Sequence, residues 1–532
     1  ASATSAPPGV PAPKYSPSGR PKIIFNNRSP SFDEFIQSAR ASQLEGLSGS
    51  VPDGSTAKAN VPSYLFPALH AAAQPRQSLG QGRKYFIEVY GCQMNVNDTE
   101  VLMAILNEAG YARTHTVEEA SVIFLMTCSI RENAEKKIWR RLKHYKSLGE
   151  SNQSRTAPLV GVLGCMAERL KDKLLDTDKL VDVVCGPDAY RSLPHLLSVA
   201  EESMSGVANV LLSADETYAD ITPVRLHPNQ VSVHLSIMRG CNNMCSFCIV
   251  PFTRGNERSR PIDSIVQEVE KLNQQGIREI MLLGQNVNSY RDESEYRSYS
   301  GVETSPPPQS TDPSQPTIMS RGFKTIYKTK YGGRRFADLM DAVAQVNPEI
   351  RIRFTSPHPK DFPDELLHLI RDRPNLCSNL HLPVQSGSNT VLERMRRGYT
   401  REAYLDLVKL ARETIPGVTL STDMIVGFCG ETEAEFRDTA DLMHQVQYDM
   451  AYMFAYSMRE KTHAHRRYTD DVPEADKARR LTEIIDIFHQ HARTRNQALL
   501  HQPQLVLVDG YSKKHDCWSG RTDGNHKVFI QS

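Results

Sequence analysis

The sequence lacks long hydrophobic runs, an excess of either charge, and a second closely spaced pair of cysteines. The longest apolar runs, such as residues 122–126, are far too short to cross a bilayer, so no membrane partner is expected. Lysine and arginine number 63 against 62 aspartate and glutamate, so any electrostatic footprint for nucleic acid must be local. Ten cysteines in 532 residues do not make a small disulfide scaffold, and they favour metal ligation in a reducing compartment.

Three of the cysteines stand close together in the segment CNNMCSFC. Cys241, Cys245 and Cys248 form a C-x3-C-x2-C run, with Phe247 directly before the last cysteine. A structural zinc site is closed by four ligands, usually as two separate pairs, and this chain has no second C-x2-C pair. Three thiolates can instead hold three irons of a 4Fe–4S cluster and leave the fourth iron open to a small molecule. A zinc knuckle that lacks one ligand and three core cysteines stay open as alternatives.

A second set of cysteines follows successive strands of a predicted α/β domain. Predicted strands end at Cys92, Cys128 and Cys165, and a helix is predicted after each, the first of them capped by Asn97. This alternation predicts a doubly wound sheet, whose ligand sites form beyond the carboxyl ends of the strands. Three cysteines at equivalent strand ends converge on one rim of such a sheet. Cys185 follows a fourth strand and stays open as a further ligand.

Beyond a polar linker at residues 203–228, strand and helix alternate six times, which predicts an incomplete parallel (β/α)6 barrel. Polar residues recur at the ends of its predicted strands, and the C-terminal rim of the strands is where a barrel carries its site. These candidate site residues are Gly284, Gln285, Asn286, Ser356, His358, Gln385, Ser386, Gly387 and Asp423. Each alone is commonly a turn or cap residue, so their recurrence at one rim is what favours a pocket.

Three further segments complete the chain. Residues 1–81 are rich in Pro and Ser, contain no acid before Asp33, and predict a disordered tail and linker with one short helix at 32–42. The same composition fits the remnant of an organelle-targeting segment. Residues 292–333 are predicted to be a surface insertion. A long amphipathic helix is predicted at 474–498, with strands of a small β domain after it.

These motifs together resemble the radical-SAM methylthiotransferase family. The resemblance rests on YGCQMNVNDTE, TCSIRENAEKK, CNNMCSFCIVPFTRGNERSRP, LLGQNVNSY, RFTSPHP and HLPVQSGS, and it covers residues 84 to about 480. It implies an N-terminal methylthiotransferase domain at 82–202, a radical-SAM core at 227–482 and a partial TRAM domain at 483–532. The expected fold class is therefore α/β, with a doubly wound domain, a partial (β/α)6 barrel and a truncated OB-like β domain.

The resemblance also implies two 4Fe–4S clusters and S-adenosylmethionine as cofactors. The triad Cys241, Cys245 and Cys248 would hold the cluster that cleaves S-adenosylmethionine. The triad Cys92, Cys128 and Cys165 would hold an auxiliary cluster that carries sulfur, and a second S-adenosylmethionine would supply the methyl group. The expected cofactor-binding residues are Phe247, Gly284, Gln285, Asn286, Ser356, Gln385, Ser386 and Asp423.

Within the family, residues 93–95 and 129–137 resemble the branch that converts isopentenyladenosine beside tRNA anticodons to its 2-methylthio derivative. The implied partners are a tRNA anticodon stem-loop, an electron donor protein and a regulator of a cyclin-dependent kinase. The implied location is the mitochondrial matrix, with a cytoplasmic or nuclear pool left open. Cations at 131–146 and 394–397 are candidates for phosphate contacts.

Two alternatives accompany this interpretation. One is the sister branch of the family, which acts on threonylcarbamoyladenosine in tRNA. The other is a metal-stabilised interaction protein that regulates a cyclin-dependent kinase. An interaction protein needs no rim of polar residues above a barrel, so this rim favours an enzyme.

Overall fold

The computed structural model describes residues 14–15, 21–25, 79–129, 132–151, 157–171, 173–176, 180–215, 218–227, 230–294, 323 and 332–530. The chain divides into two compact units, one of residues 1–226 with 252–255 and one of residues 227–251 with 256–532. No helix in the described ranges is long and apolar enough to cross a membrane. The predicted helix at 32–42 and most of the predicted insertion at 292–333 lie outside these ranges. The finer division into the predicted domains stays a prediction.

The first unit is a sheet with helices on both of its faces. Its strands are β1 (Lys14–Tyr15), β2 (Pro21–Phe25), β3 (Lys84–Val89), β4 (Ala112–Arg113), β5 (Val122–Thr127), β6 (Leu159–Gly164), β7 (Val183–Cys185) and β8 (Gly206–Asn209). Its helices are α1 (Gln93–Glu108), α2 (Glu132–Ser151), α3 (Cys165–Leu170), α4 (Lys173–Asp176) and α5 (Leu193–Ser203). The strand order is β1-β2-β8-β7-β6-β5-β3-β4, and every pairing except that of β1 with β2 is parallel.

The interior strand β5 shows why the helices cover both faces. All of its residues are buried, and side chains along a strand alternate between the two faces of the sheet. Phe124 and Met126 pack in the core that α1 and α5 cover. Ile123 and Leu125 pack in the core that α2, α3 and α4 cover. A parallel strand buried on both faces is the pattern of a doubly wound fold, as predicted.

The strand order creates a switch point between β3 and β5. After β3 the chain passes to β4 on one side, and it then crosses to β5 on the other side of β3. The helices after β3 and β5 consequently cover opposite faces, and a crevice opens at the carboxyl ends of these two strands. Cys92 follows β3 and Cys128 follows β5. Both cysteines therefore lie at the place where an open α/β sheet binds its ligand.

Helix α1 begins earlier than the sequence predicted. Its first residue is Gln93 and its cap residue is Cys92, so Asn97 is a buried residue inside the helix and not its cap. The side-chain amide of Asn95 donates to the carbonyl of Tyr90 at 2.6 Å and ties the first turn to the preceding loop. The prediction of Asn97 as the cap was wrong because this contact, rather than a capping side chain, defines where the helix begins.

Strands β2 and β8 lie where a disordered tail and a polar linker were predicted. They pair in parallel, and β1 pairs antiparallel with β2. Ile24 and Ala208 pack in one core and Val207 in the other. A few apolar residues suffice for a strand when the edge of a sheet supplies the partner for the backbone. The Pro- and Ser-rich composition around them concealed this.

The second unit contains both parallel and antiparallel strands. The strands from residue 232 onward are β9 (Ser232–Ser236), β10 (Met238–Arg239), β11 (Arg258–Ser259), β12 (Glu279–Leu283), β13 (Arg291–Asp292), β14 (Arg334–Arg335), β15 (Arg351–Thr355), β16 (Asn379–His381), β17 (Thr419–Val426), β18 (Met450–Ala455), β19 (Val506–Ser512), β20 (Cys517–Thr522) and β21 (Lys527–Ile530). The helices from residue 250 onward are α6 (Val250–Thr253), α7 (Ile262–Gln274), α8 (Phe336–Val346), α9 (Asp364–Asp372), α10 (Asn389–Arg394), α11 (Arg401–Thr414), α12 (Glu433–Val446), α13 (His463–Arg467) and α14 (Glu474–Ala498).

Six strands of this unit form a partial barrel in chain order. Strands β9, β12 and β15 pair in parallel, and so do β16, β17 and β18. Between the two sets, the amide of Ile352 donates to the carbonyl of Asn375 at 2.8 Å, and the amide of Cys377 donates to the carbonyl of Ile352 at 3.0 Å. One apolar core runs through the unit. The predicted fold class, including the partial (β/α)6 barrel, is confirmed.

The antiparallel strands β19, β20 and β21 form a small sheet at the amino-terminal ends of the barrel strands. Arg351, the first residue of β15, donates to the carbonyl of Arg521 at 2.9 Å, and Arg353 in the same strand donates to the carbonyl of Thr522 at 2.7 Å. The amide of Ser378, just before β16, donates to Asp523 Oδ2 at 2.9 Å. Thr419, at the start of β17, donates to the carbonyl of Gly524 at 2.9 Å. The small sheet therefore lies at the opposite end of the barrel from the carboxyl rim.

An ion pair joins the end of α10 to the start of α12. Glu435 accepts hydrogen bonds from both terminal nitrogens of Arg394 at 2.9 Å, and it forms a capping box with Thr432. Burial raises the pKa of Glu435, but hydrogen bonds from Arg394 and Thr390 outweigh burial and lower the pKa to about 2. Arg394 was predicted to contact phosphate. The structure gives it this carboxylate partner instead.

Replacing Glu435 with Gln should lower the free energy of unfolding at neutral pH by about 1 kcal/mol, because the change removes the charge partner of Arg394 and a negative charge at the amino terminus of α12. A depressed carboxyl pKa stabilises the folded state above the unfolded pKa, and this stabilisation is lost as the pH falls through the folded pKa. The difference in the free energy of unfolding between wild type and variant should therefore be largest above pH 4.5 and should decrease as the pH falls towards about 2. Urea unfolding of iron-free protein at several pH values measures this difference.

The exposed Glu393 beside Arg394 offers a matched control. Glu393→Gln removes the same charge from an exposed side chain outside this ion pair, so it should leave the stability and its pH dependence unchanged. If Glu435→Gln lowers the free energy of unfolding equally at neutral and at acid pH, the proposed effect of the Glu435 pKa on stability is contradicted.

Candidate functional site

The C-x3-C-x2-C motif lies in the loop between β10 and β11. These two strands pair antiparallel and hold the ends of the loop together. The amide of Gly240 donates to Gln285 Oε1 at 2.5 Å, so the loop after β12 holds the start of the motif. Asn242 and Glu257 bind each other reciprocally, each amide donating to the other side chain at 3.1–3.2 Å. The amide of Cys248 donates to the carbonyl of Cys245 at 3.0 Å. These bonds fix the backbone that carries the three thiols.

The three thiols of this motif are close enough to affect one another's ionisation. Cys241 and Cys245 are buried and Cys248 is half-buried. Burial raises the pKa of Cys241, and the nearby Glu257 carboxylate and the other two thiols raise it further. Burial and the Cys245 thiol raise the pKa of Cys248 to about 12. A metal that binds thiolates would remove the cost of ionising them in this environment, so the donor set fits a metal cluster.

Arg397 is the cation of this site, and no pattern in the sequence indicated it. Its Nη1 donates to Cys245 Sγ at 3.2 Å, its Nη2 to the carbonyl of Pro383 at 2.6 Å, and its Nε to the hydroxyl of Tyr399 at 3.0 Å. Arg397 was predicted, with the other cations at 394–397, to contact phosphate. It is buried, because the turn after α10 directs it back towards the motif.

Two buried amide side chains beside the motif have atoms without a protein partner. Asn286 donates to Glu257 Oε1 at 3.1 Å and to Asp361 Oδ2 at 3.4 Å, while its Oδ1 accepts no hydrogen bond. Asn243 lies inside the motif, and its Nδ2 has no acceptor. Buried polar groups are normally satisfied, so one open acceptor and one open donor indicate a ligand. An amino acid moiety, with an ammonium and a carboxylate, matches this pair.

The other predicted site residues divide into two groups. Phe247 packs against a small apolar cluster that includes Phe428 and Tyr456. A Cβ added at Gly284 would lie 2.7 Å from the side chain of Met238, so this glycine permits close packing of β12 against β10. Asp423 is half-buried, with its Oδ2 3.4 Å from His381 Nε2. Phe247, Gly284 and Asp423 thus shape or line the carboxyl rim.

Ser356, Gln385 and Ser386 have mainly structural contacts. The carbonyl of Ser356 accepts from the amide of Val287 at 3.2 Å. Backbone bonds join Gln385 to β17. Ser386 is fully buried, and its hydroxyl lies 3.2 Å from Thr439 Oγ1. Their roles as cofactor ligands stay predictions.

Cys92, Cys128 and Cys165 come together in the first unit. Cys92 directly precedes α1, Cys165 is the first residue of α3, and Cys128 follows β5. A hydrogen bond from the Cys128 thiol, a nearby arginine and the first amides of α1 outweigh burial and lower the pKa of Cys92 to about 6. Helix amino termini and cations favour thiolates in this way. The convergence at the switch point makes this set a second candidate cluster site.

Gly91 makes room for this second triad. Its φ is +113°, a backbone conformation that side chains rarely adopt, and an added Cβ would lie 2.5 Å from the Cβ of Cys128. The thiol of Cys185, in contrast, donates to the carbonyl of Gly186 at 3.7 Å. Burial and the nearby Glu168 carboxylate raise the pKa of Cys185, so its surroundings disfavour the thiolate that a metal would need.

Arg254 supplies the cation of the second triad. It belongs to segment 252–255, which forms part of the first unit. Its Nη1 lies 2.7 Å from Asp98 Oδ2, its Nε donates to Cys165 Sγ at 3.1 Å, and its Nη2 donates to Asn95 Oδ1 at 3.3 Å. Burial raises the pKa of Cys165, while Arg254 opposes that rise. The motif TRGNERSR contains Arg254, but its spacing does not reveal a contact with Cys165, 89 positions away.

Neither triad has the geometry of a site for a single ion. Among the residues that the structure describes, no three of His, Cys, Asp and Glu are placed to ligate one metal ion. The thiolates of a 4Fe–4S cluster each bind a different iron, so they stand farther apart than the ligands of one ion.

Comparisons with known proteins agree with this site. Residues 235–443 match the family model "Radical SAM superfamily", and residues 84–186 match "Uncharacterized protein family UPF0004". The mitochondrial tRNA methylthiotransferase CDK5RAP1 of Homo sapiens is 53% identical over 517 residues, which cover 94% of this chain and 81% of the relative. The tRNA-2-methylthio-N(6)-dimethylallyladenosine synthase of Chloroherpeton thalassium is 47% identical over 451 residues, 85% of this chain and 90% of the relative.

The partial barrel and its three-cysteine motif define a radical SAM enzyme. With the matched N-terminal domain and these relatives, the chain belongs to the radical-SAM methylthiotransferase family, as predicted. It is a transferase, and its cofactors are S-adenosylmethionine and 4Fe–4S clusters.

Replacing Gly91 with Ala should reduce the iron content of the reconstituted protein by about half, because the new Cβ would displace Cys128 from the second triad. Gly82→Ala is the matched control. Gly82 also has a positive φ, of +74°, but an added Cβ there meets nothing within 4 Å. Both variants carry backbone strain of about 1 kcal/mol, so only the clash separates them. Iron analysis of both proteins measures the effect, and equal iron in the two would contradict this role for Gly91.

Proposed function

We propose that this chain converts isopentenyladenosine next to the anticodon of tRNA to its 2-methylthio derivative in mitochondria. The observation that carries the proposal is the presence of two separate thiol triads, each with a buried arginine at a ligand sulfur. The relatives add the substrate and the location, since their names specify tRNA, dimethylallyladenosine and mitochondria. Sulfur insertion and radical generation are different chemistries, so two metal sites match a two-part reaction.

The residues of the barrel would bind and orient S-adenosylmethionine. Cys241, Cys245 and Cys248 would hold the cluster, whose chemistry when bound is one-electron cleavage of the sulfonium. Asn286 Oδ1 would accept a hydrogen bond from the ammonium of the cofactor. Asn243 Nδ2 would donate to its carboxylate. The apolar cluster around Phe247 would keep water away from the reacting carbon.

Cys92, Cys128 and Cys165 would hold the auxiliary cluster. The contact of Cys92 with Cys128 and the amino terminus of α1 favours a thiolate at Cys92 before any metal binds. Arg254 would neutralise part of the negative charge that iron-bound thiolates bring into this buried place.

Exposed cations beside the motif would bind the phosphates around the target nucleotide. Arg396, Arg466 and Arg467 are exposed, and they lower the pKa of His463 beyond the lowering that burial causes. These three arginines are the rim cations. The helix that carries Arg466 and Arg467 is tied to the motif, because the amide of Ala464 donates to the carbonyl of Ser246 at 2.7 Å. Flanking phosphates must pass near the cluster when a nucleobase reaches it, and Arg residues supply such contacts.

Alanine variants of each triad test the division of labour. Replacing Cys241, Cys245 and Cys248 should remove about half the iron and abolish cleavage of S-adenosylmethionine, because the cofactor loses its cluster. Replacing Cys92, Cys128 and Cys165 should also remove about half the iron, but reductive cleavage with dithionite should persist while sulfur insertion is lost. Iron, sulfide and deoxyadenosine are the quantities to measure.

Each triad variant serves as the control for the other. Stoichiometric zinc in place of iron would rule out the proposed clusters. Loss of cleavage in a folded Cys92, Cys128 and Cys165 variant that keeps its other cluster would show that the two sites do not divide the reaction in this way.

Matched anticodon stem-loops test the substrate. Reconstituted enzyme should add a methylthio group to a stem-loop with isopentenyladenosine and to neither adenosine nor threonylcarbamoyladenosine. The isopentenyl group would gain about 2 kcal/mol from apolar burial. Mass analysis of the digested nucleosides gives the product. Equal activity on adenosine would exclude apolar recognition, and product only from threonylcarbamoyladenosine would favour the sister branch.

The same stem-loops test the rim cations. The triple variant Arg396→Ala, Arg466→Ala, Arg467→Ala should bind RNA more weakly and with a smaller salt dependence, by roughly one unit of slope for each phosphate that is no longer neutralised. Lys271→Ala, Arg278→Ala, Lys409→Ala removes the same charge from exposed sites elsewhere on the barrel. Equal reductions in affinity for the two variants would mean that only net charge matters.

Three narrower points stay part of the proposal. An electron donor protein would supply the electron for cleavage, and a regulator of a cyclin-dependent kinase is a further predicted partner. Within mitochondria the matrix is the proposed location, because tRNA is found there, and the cytoplasmic or nuclear pool stays a prediction.

A further inference from the structure

Each thiol triad has one buried arginine that donates a hydrogen bond to one of its sulfurs. Arg397 Nη1 donates to Cys245 Sγ at 3.2 Å, and Arg254 Nε donates to Cys165 Sγ at 3.1 Å. The two arginines are only 5% and 2% exposed. A buried guanidinium is costly unless negative charge compensates it, so these two positions require an explanation.

The two arginines differ in how their charge is compensated. Arg254 forms an ion pair with Asp98, whose carboxylate oxygen lies 2.7 Å away. Arg397 binds only neutral acceptors besides the sulfur, namely the carbonyl of Pro383 and the hydroxyl of Tyr399. No carboxylate of the described residues lies within ion-pairing distance of Arg397. Its charge is thus balanced by thiolates alone, whereas Asp98 already balances that of Arg254.

This difference matters for the reduction potential of a cluster. Hydrogen bonds to the sulfurs and the net charge nearby are two of the properties that set the potential of an iron–sulfur cluster. An uncompensated cation stabilises the reduced, more negative state and raises the potential. A cation paired with a carboxylate has a much smaller effect, because the two fields oppose each other at short range.

We propose that Arg397 and the Arg254–Asp98 pair set the potentials of the two clusters apart, with Arg397 raising the potential of the cluster held by Cys241, Cys245 and Cys248. One electron from the reductant would then reside on this cluster, where it is transferred to the sulfonium as the carbon–sulfur bond breaks. The auxiliary cluster lies beside the Arg254–Asp98 pair, whose charges cancel, so its lower potential would keep it from taking the electron. The inference rests on the proposed cluster ligation.

Redox titration of the reconstituted full-length protein, followed by electron paramagnetic resonance, tests the inference. The triad-alanine variants assign each signal to its cluster. Arg397→Gln should shift the potential of the cluster at Cys245 to more negative values, because it removes the uncompensated charge, while Arg397→Lys should largely restore it. Arg480→Gln is the control, since Arg480 is also buried but pairs with Glu431 at 3.0 Å.

Asp98→Asn gives a second test with the opposite sign. The substitution keeps the shape and an acceptor oxygen but leaves Arg254 uncompensated, so the potential of the auxiliary cluster should move to more positive values. If Arg397→Gln does not retain iron, the change in the auxiliary cluster's potential in Asp98→Asn decides whether the inference holds. An unchanged or more negative auxiliary potential in Asp98→Asn overturns the inference, as does an unchanged potential in iron-loaded Arg397→Gln.

These outcomes are separable from failure of the proposed function. Loss of the function would appear as zinc in place of iron, or as no methylthio product from any stem-loop. Failure of the present inference would leave iron content and product unchanged, with potentials that do not respond to Arg397 or Asp98.

Discussion

Three thiolates placed close together in a protein interior repel one another and lose their hydration, and both triads of this chain must overcome that cost. Burial and mutual repulsion both disfavour the charged form of a thiol, as the raised pKa values of Cys241 and Cys248 illustrate. The chain offsets this cost twice with the same means, a buried arginine that donates to one of the sulfurs. The second triad adds the amino terminus of α1, which favours the thiolate of Cys92.

Parallel sheets suit this task because their loops gather at one edge. In the first unit the strand order opens a crevice after β3 and β5, and the cysteines that follow these strands meet there. In the second unit the residues after β12, Gln285 and Asn286, hold the motif and its neighbour Glu257. The same architecture leaves the opposite ends of the barrel strands free to bind the small C-terminal sheet through Arg353. Site and scaffold thus occupy different ends of the strands.

Sequence reasoning was most accurate where a local pattern has a local cause. The cysteine spacing and the alternation of strand and helix predicted both candidate triads and the fold class. Prediction from the sequence was least accurate where a contact joins residues that are far apart in the chain. Arg394 and Arg397 look alike in the sequence, yet one pairs with Glu435 and the other lies beside Cys245. Strand β2 was concealed in the same way, since its partner β8 is far away in the chain.

Which thiols are available, and on which elements they lie, can be read from the sequence, because cysteine spacing and hydrophobic periodicity are encoded over a few residues. Which charges accompany those thiols depends on the three-dimensional fold. Arg254 meets Cys165 and Asp98 across separations of 89 and more residues, and no local pattern encodes such a meeting. Whether a cation at a sulfur is neutralised by a carboxylate depends on the packing of separate elements, because electrostatic energy is set by distance and burial and not by order in the chain.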